Sequence, residues 1–201
     1  MIRLLAATRN VHKTREIRQI LGLKFEVRDL SEDLEVPETV ESGTSFKENA
    51  VLKAVTASRY LPGFIIADDS GLEVYALDGA PGIHSARYAG QTATDGQNIE
   101  KLLGELSRIG SKDDGYRARY RCVVALGRDG RILGTFEGNL EGKIIARPRG
   151  SQGFGYDPIF VPNGFGETLG ELPAEVKNKI SHRAQAIHAV ADKLATAWPS
   201  D

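Results

Sequence analysis

Residues 120–136 constrain the fold most. Tyr120, Cys122, Val124 and Leu126 recur at every second position, the period of a strand, and Arg128-Asp129-Gly130-Arg131 reads as a hairpin turn. Ile132 to Phe136 then returns antiparallel. A chain holding such a hairpin is not an all-parallel doubly wound sheet. Its beginning nevertheless has the α/β pattern. Ile2 to Ala7 reads as a short buried strand and Thr8 to His12 as a polar turn. A helix follows from about Lys13, with Ile17, Ile20 and Leu21 on one face. Together these segments predict a mixed α/β fold. They also place the first loop at a strand's carboxyl end and a helix's amino end, where anions bind.

Further elements follow the same reasoning. Lys24 to Leu30 reads as a second strand, and Ser31 to Gly43 as an acidic, irregular loop holding Glu32, Asp33, Glu35, Glu38 and Glu41. Ser45 with Glu48 forms a capping box for a helix reaching about Tyr60. Phe64 to Ala67 is an apolar strand running into Asp68-Asp69-Ser70-Gly71, and Leu72 to Leu77 is strand-like again. Thr94 and Gln97 cap a helix carrying Ile99, Leu102, Leu103 and Leu106, and Ser107 to Gly115 is a polar linker. Gly150 to Gly170 is mostly loop with a short strand at Ile159 to Val161. The last helix starts near Ser181, and Ile187, Val190, Ala191, Leu194 and Trp198 mark its apolar face.

Composition narrows the function. Lys plus Arg total 26 and Asp plus Glu 27, a formal net charge of -1, which excludes a generic nucleic-acid binder with a broad basic surface. Any anion site must be a local cluster of cations. The single cysteine, Cys122, excludes an intrachain disulfide framework and a cysteine-built zinc site, and its place in the alternation makes it a core residue. No run approaches the roughly 20 apolar residues of a membrane span, and Arg3 interrupts the apolar start. A cytoplasmic protein without a membrane partner is expected. With 41% hydrophobic residues the chain can bury a sizeable core, as one domain over 1–201 without a separable linker.

Several familiar sites are excluded. Gly138-Asn139-Leu140-Glu141-Gly142-Lys143 is one residue short of a Walker A loop, and Ile144 replaces the required Ser or Thr. Gly153-Phe154-Gly155 begins like a dinucleotide fingerprint, but Pro158 stands where the last glycine belongs. The four histidines, at 12, 84, 182 and 188, lack zinc-protease spacing.

Four polar clusters remain. Thr8-Arg9-Asn10-Val11-His12-Lys13 offers a hydroxyl, an amide, cations and a helix amino terminus, all suited to phosphate; read structurally, it is an N-cap with solvated basic side chains. Asp68-Asp69-Ser70-Gly71 follows a buried strand. Adjacent extended residues point opposite ways, so one aspartate faces the site and the other packs. With a second acid from the 38–41 loop this suits magnesium (Mg2+), which takes one or two carboxylates plus water and phosphate oxygens; the structural alternative is an Asx turn. In Gly153-Phe154-Gly155-Tyr156-Asp157-Pro158, glycines let backbone approach a flat ligand, an aromatic ring can stack, and Asp157 can accept from ring N–H groups; the alternative is a tight anchored loop. Lys177 with Ser181-His182-Arg183 brings cations to the last helix, or is merely a Ser N-cap with exposed neighbours. Taken together, the clusters describe a site for a magnesium-bound polyphosphate joined to a planar base.

The order of these blocks, with Gly79-Ala80-Pro81-Gly82-Ile83 and Ser85-Ala86-Arg87-Tyr88 between them, resembles the inosine/xanthosine triphosphate pyrophosphatase family from residue 2 to about 195. That resemblance implies an elongated two-lobed α/β fold with a central mixed sheet flanked by helices, a cleft between lobes, and a homodimer. It implies magnesium-dependent hydrolysis of ITP, dITP and XTP to the monophosphate and pyrophosphate. It assigns Asp69 as general base and metal ligand, with Ser70 beside the substrate. Thr8 to Lys13 and Lys53 would hold phosphates. Phe154, Gly155, Tyr156, Asp157, Lys177, His182 and Arg183 would complete the nucleotide site, Tyr156 stacking on the base. Glu41 matches the second acidic ligand, with Glu38 the competing assignment. Arg9 stands where many members carry Gly or Asn, and either adds a phosphate contact or points outward. Two other readings stay open: a hydrolase of the same architecture preferring another modified nucleotide, and a non-catalytic nucleotide-binding regulator.

Overall fold

The computed structural model describes residues 2–31, 35–110 and 115–197. Glu32, Asp33 and Trp198 lie outside the described residues, as do residues 111–114 of the stretch read as a linker, whose first three residues, Ser107 to Ile109, belong to a helix instead. The elements are β1 (Ile2–Ala6), α1 (Val11–Leu21), β2 (Phe25–Asp29), α2 (Phe46–Tyr60), β3 (Phe64–Val74) and α3 (Asp95–Ile109). There follow β4 (Tyr116–Arg128), β5 (Arg131–Ile144), β6 (Phe160–Pro162), α4 (Ala174–Ile180) and α5 (His182–Ala197). The strands form one mixed sheet in the order β2-β1-β3-β4-β5-β6, flanked by helices, so the chain has the expected α/β class.

β1 pairs parallel with both β2 and β3, Leu4 facing Val27 on one side and Phe64 on the other. β4 and β5 are neighbours joined by Asp129 and Gly130 alone, and both residues have positive φ (51° and 73°). That is the backbone of a type I′ turn, which matches strand twist and makes the pair antiparallel. β6 adds to β5 antiparallel.

The chain divides into two compact units. The first comprises the described residues up to Asp69, Cys122–Gly138 and the described residues from His182 onward. Its core holds Leu4, Ile17, Leu21, Ile66, Cys122, Val124, Ile187 and Leu194, and α1 packs on α5 and β2. Each fully buried Leu or Ile contributes about 1.5–3 kcal/mol, which is what keeps the helical face against the strands. The second unit comprises the described residues of Ser70–Arg121 and Asn139–Ser181, around a core of Leu72, Leu102, Leu106, Tyr120, Tyr156, Ile159 and Phe160.

Four further local expectations change. α1 starts two residues early because Asn10 is the N-cap, its side-chain oxygen accepting from the His12 and Lys13 N–H groups. Ser45 caps α2 as expected, but the Glu48 carboxylate reaches the Thr44 N–H and hydroxyl. β3 does not stop at Ala67; it continues through Asp68, Asp69, Ser70 and Gly71 to Val74, and only Tyr75–Leu77 leaves the strand as a 3-10 turn. α4 is a seven-residue helix that the sequence pattern does not announce, and Ser181 is its C-cap, donating its N–H to the Lys177 carbonyl. The Thr94–Gln97 capping box of α3 forms with both of its hydrogen bonds. Among the described residues no helix is long and apolar enough to cross a membrane.

Candidate active site

The parallel register explains where the acids of the first unit stand. Ala6, the last residue of β1, faces Ile66, and the Ala7 N–H bonds the Ile66 carbonyl. Asp68 and Asp69 therefore sit on β3 just beyond the end of β1, beside the Thr8–Asn10 loop. This is the carboxyl edge at which open α/β sheets bind ligands. Both side chains are buried. As neighbours in a strand they diverge, and each meets a different set of cations.

Asp68 Oδ2 lies 3.0 Å from Lys13 Nζ and 3.1 Å from Arg183 Nη2. Burial alone would raise its pKa, but the charges of Lys13, Arg183 and Lys53 outweigh it and hold the carboxyl far below the usual range. Arg183 itself is buried on the first turn of α5, its Nη1 paired with Glu16. Burial would weaken its charge, yet Asp68 and Glu16 hold its pKa above the ordinary value. Asp68 is thus the structural aspartate of the pair.

Asp69 faces α2. Its Oδ1 accepts from Lys53 Nζ at 2.8 Å and its Oδ2 from the Asn49 amide at 3.3 Å. Asn49 and Lys53 are four apart, hence on one helix face. Lys53 Nζ also lies 3.1 Å from Glu41 Oε1, so one ammonium bridges the two carboxylates. Burial pushes the Asp69 carboxyl above the usual range despite the pull of Lys53. The Lys53 ammonium is held above its ordinary pKa because Asp69, Asp68 and Glu41 together outweigh burial. Glu38 is exposed, whereas Glu41 is half-buried against Lys53.

The first loop is built around its cap. Thr8 Oγ1 accepts from the Asn10 N–H, and the Thr8 carbonyl accepts from the Leu30 N–H. Arg9 is exposed and donates from Nη2 to the Val36 carbonyl at 2.8 Å, so it ties this loop to the acidic one. Val11 and His12 are exposed on the first turn of α1, and Lys13 is half-buried, turned to Asp68. Ser70 is half-buried on β3 next to Asp69.

The second unit holds the aromatic loop. Asp157 and Lys177 form a buried pair, with Asp157 Oδ2 2.5 Å from Lys177 Nζ and 2.9 Å from the Phe154 N–H that it accepts. The Tyr120 hydroxyl donates to Asp157 Oδ1 at 3.4 Å. A Cβ at position 153 would fall 2.0 Å from Asp157 Oδ2, and φ there is +76°, so the pair requires Gly153. Lys177 Nζ lies 5.0 Å from the centre of the half-buried Phe154 ring. Tyr156 differs from expectation: its ring is 3% exposed within the core and its hydroxyl donates to the Ser85 carbonyl at 2.9 Å. The ring this loop leaves accessible is Phe154.

His182 and Arg183 are buried on the first turn of α5 in the first unit, while Lys177 belongs to the second. The structure thus gathers Lys13, Glu41, Lys53, Asp69 and Arg183 around one strand edge of the first unit, and Phe154 to Asp157 with Lys177 in the second. Sequence reasoning missed Asn49, Glu16 and Asp95. For the first two a signal existed: each is one helical turn from a flagged lysine, Asn49 from Lys53 and Glu16 from Lys13.

Two carboxylates with a cation already lodged between them suit a divalent ion that takes its remaining ligands from water and phosphate. Among the described residues no group of three or more His, Cys, Asp or Glu side chains could hold a metal without such help.

A family model described as the Ham1 family matches residues 4–193. A dITP/XTP pyrophosphatase of Shouchella clausii is 43% identical over 99% of this chain and all of its own length. One from Geobacter sulfurreducens is 46% identical over 96% of this chain and 97% of its own. Among solved structures, a HAM1 protein from Coxiella burnetii superposes with a TM-score of 0.85 at 38% identity, covering 98% of this chain and all of that one.

Proposed function

Since the chain belongs to the Ham1 family, we propose that it hydrolyses non-canonical purine nucleoside triphosphates (ITP, dITP and XTP) to the monophosphate and pyrophosphate. The observation that carries this reading is the buried Asp69 carboxylate, aimed at Lys53 and Asn49 on the strand edge beside a loop that opens a helix. The names of the relatives, dITP/XTP pyrophosphatase, support the substrate class. We read 1–201 as one domain, working in the cytoplasm as a homodimer.

The cationic cluster of the first unit takes the triphosphate. Lys13 and Lys53 each already neutralise an aspartate, so an arriving phosphate meets donors held in place. The helix amino terminus behind Asn10 adds its dipole. Glu41 and Asp69 would hold magnesium, which when bound supplies positive charge to the phosphate oxygens. Asp69 takes a proton from a water as that water attacks the α-phosphorus in line. The new P–O bond forms as the bond to the bridging oxygen breaks, and pyrophosphate leaves. The bonds from Lys53 and Asn49 fix the direction of the Asp69 carboxylate, which suits it to orient that water. Most of the acceleration is positioning and charge stabilisation.

The second unit takes the base. Phe154 supplies the accessible ring, and the Asp157–Lys177 pair supplies an acceptor and a donor close to it. Selection for a 6-oxo purine follows from a donor that adenine's amino group leaves unpaired, a mismatch that reaches about 10⁴-fold.

The test is magnesium-dependent pyrophosphate release from ITP by wild type and Asp69→Asn. Loss of a base costs about 10²–10⁴-fold in kcat, while ITP binding measured by calorimetry persists. Undiminished turnover by the variant removes Asp69 from the reaction. Equal kcat/KM for ITP and ATP overturns the assigned selectivity.

A further inference from the structure

The aromatic loop is held by two carboxylates, and only one of them belongs to the loop. The Phe154 N–H donates to Asp157 Oδ2 at 2.9 Å, and the next N–H, that of Gly155, donates to Asp95 Oδ2 at 2.6 Å. Asp95 is 60 residues away in sequence, the first residue of α3. Helix capping does not require its side chain. Thr94 is the N-cap, its hydroxyl accepting from the Gln97 N–H while the Gln97 side chain accepts from the Thr94 N–H. Nor does the core require it, since Asp95 is exposed. Its carboxylate serves the loop.

Gly155 has φ +62° and nothing within 4 Å of where a Cβ would stand. The glycine is there for its left-handed backbone, which turns its N–H toward α3, and not for lack of room. Phe154 lies between the two anchored amides. Its backbone orientation, and with it the direction of its ring, is fixed from both sides.

We infer that Asp95 is a positioning residue for nucleobase binding: it fastens the Gly155 amide to α3 and so holds the Phe154 ring in its base-stacking orientation. The inference rests on Phe154 being the base-contacting ring of the proposed pyrophosphatase. Asp95 itself touches no substrate, and its loss acts on binding of the base and not on cleavage of the phosphate.

The experiment pairs Asp95→Ala with Asp95→Asn, which keeps an acceptor oxygen and loses only the charge. In Asp95→Ala the KM for ITP rises about tenfold, the change that about 1.4 kcal/mol brings, while kcat stays within about twofold. Asp95→Asn recovers most of that loss. In a Phe154→Ala background Asp95→Ala adds almost nothing, because the two act through one contact. A fall in kcat with KM unchanged overturns the inference, and so does full additivity with Phe154→Ala. Geometry has its own readout. The amide proton of Gly155 in wild type is shifted downfield and protected from exchange, and both properties disappear in Asp95→Ala. If they persist, the inference fails whatever the kinetics. If wild type does not cleave ITP at all, the proposed function fails instead, and the amide measurement still decides the role of Asp95.

Discussion

Arg183 allows a sharp test of how the first unit is held together. Its side chain is 2% exposed, with Nε and Nη2 on Asp68 and Nη1 on Glu16. Replacing it by Met keeps the bulk and removes the charge. Asp68 is then left with Lys13 at 3.0 Å, and Glu16 loses its buried cation. Removing one member of a buried ion pair costs about 3–5 kcal/mol. In a chain of about 200 residues each kcal/mol moves Tm by roughly 2–4 °C, so the variant should melt about 6–20 °C lower. Arg183→Lys should recover little, since an ammonium is a single point on a shorter stem and lacks the fork by which Nε and Nη2 engage Asp68 while Nη1 reaches Glu16. The measurement is thermal unfolding without nucleotide, followed by circular dichroism, with the Asp68→Asn/Arg183→Met double variant completing the cycle. A positive coupling between the two sites is expected. A Tm within about 2 °C of wild type for Arg183→Met would show that the triad does not brace the fold, and would restrict Arg183 to nucleotide contact.

Two shorter predictions concern the aromatic loop and the cysteine. Phe154→Ala should weaken ITP binding by about 1–3 kcal/mol, the worth of one stacked base; Tyr156→Phe should leave KM nearly unchanged and lower stability by about 1–3 kcal/mol, because the buried Ser85 carbonyl loses its donor. Steady-state kinetics with a denaturation curve on each variant separates the two roles, and a reversal of them would return base stacking to Tyr156. Cys122 is fully buried and its thiol is pushed up to about 12, chiefly by burial. It should ignore a disulfide reagent at pH 8 and react stoichiometrically once denaturant is added, since the thiolate is the nucleophile; rapid labelling of the native protein would contradict its place in the core.

What was legible in the chain, and what was not, follows from the range of the interactions involved. The Asp129-Gly130 turn and the Thr94–Gln97 box are decided within four residues, and both form as read. The run from Asp68 to Gly71 is polar, so hydrophobic patterning ends the strand at Ala67. It continues because Lys13, Lys53, Asn49 and Arg183 satisfy the two carboxylates, and these arrive from α1, α2 and α5. No window along β3 contains that information. The choice between Phe154 and Tyr156 is of the same kind: both are aromatic and two residues apart, and the hydroxyl decides. Tyr156 is drawn inward by a carbonyl 71 residues away, and Phe154, without a hydrogen-bonding group, is the ring left for a ligand. A polar run inside a strand and an aromatic displaced from its expected role are local patterns overruled by distant partners. The polar run persists inside its strand because buried charges need partners, and those partners are supplied from several elements.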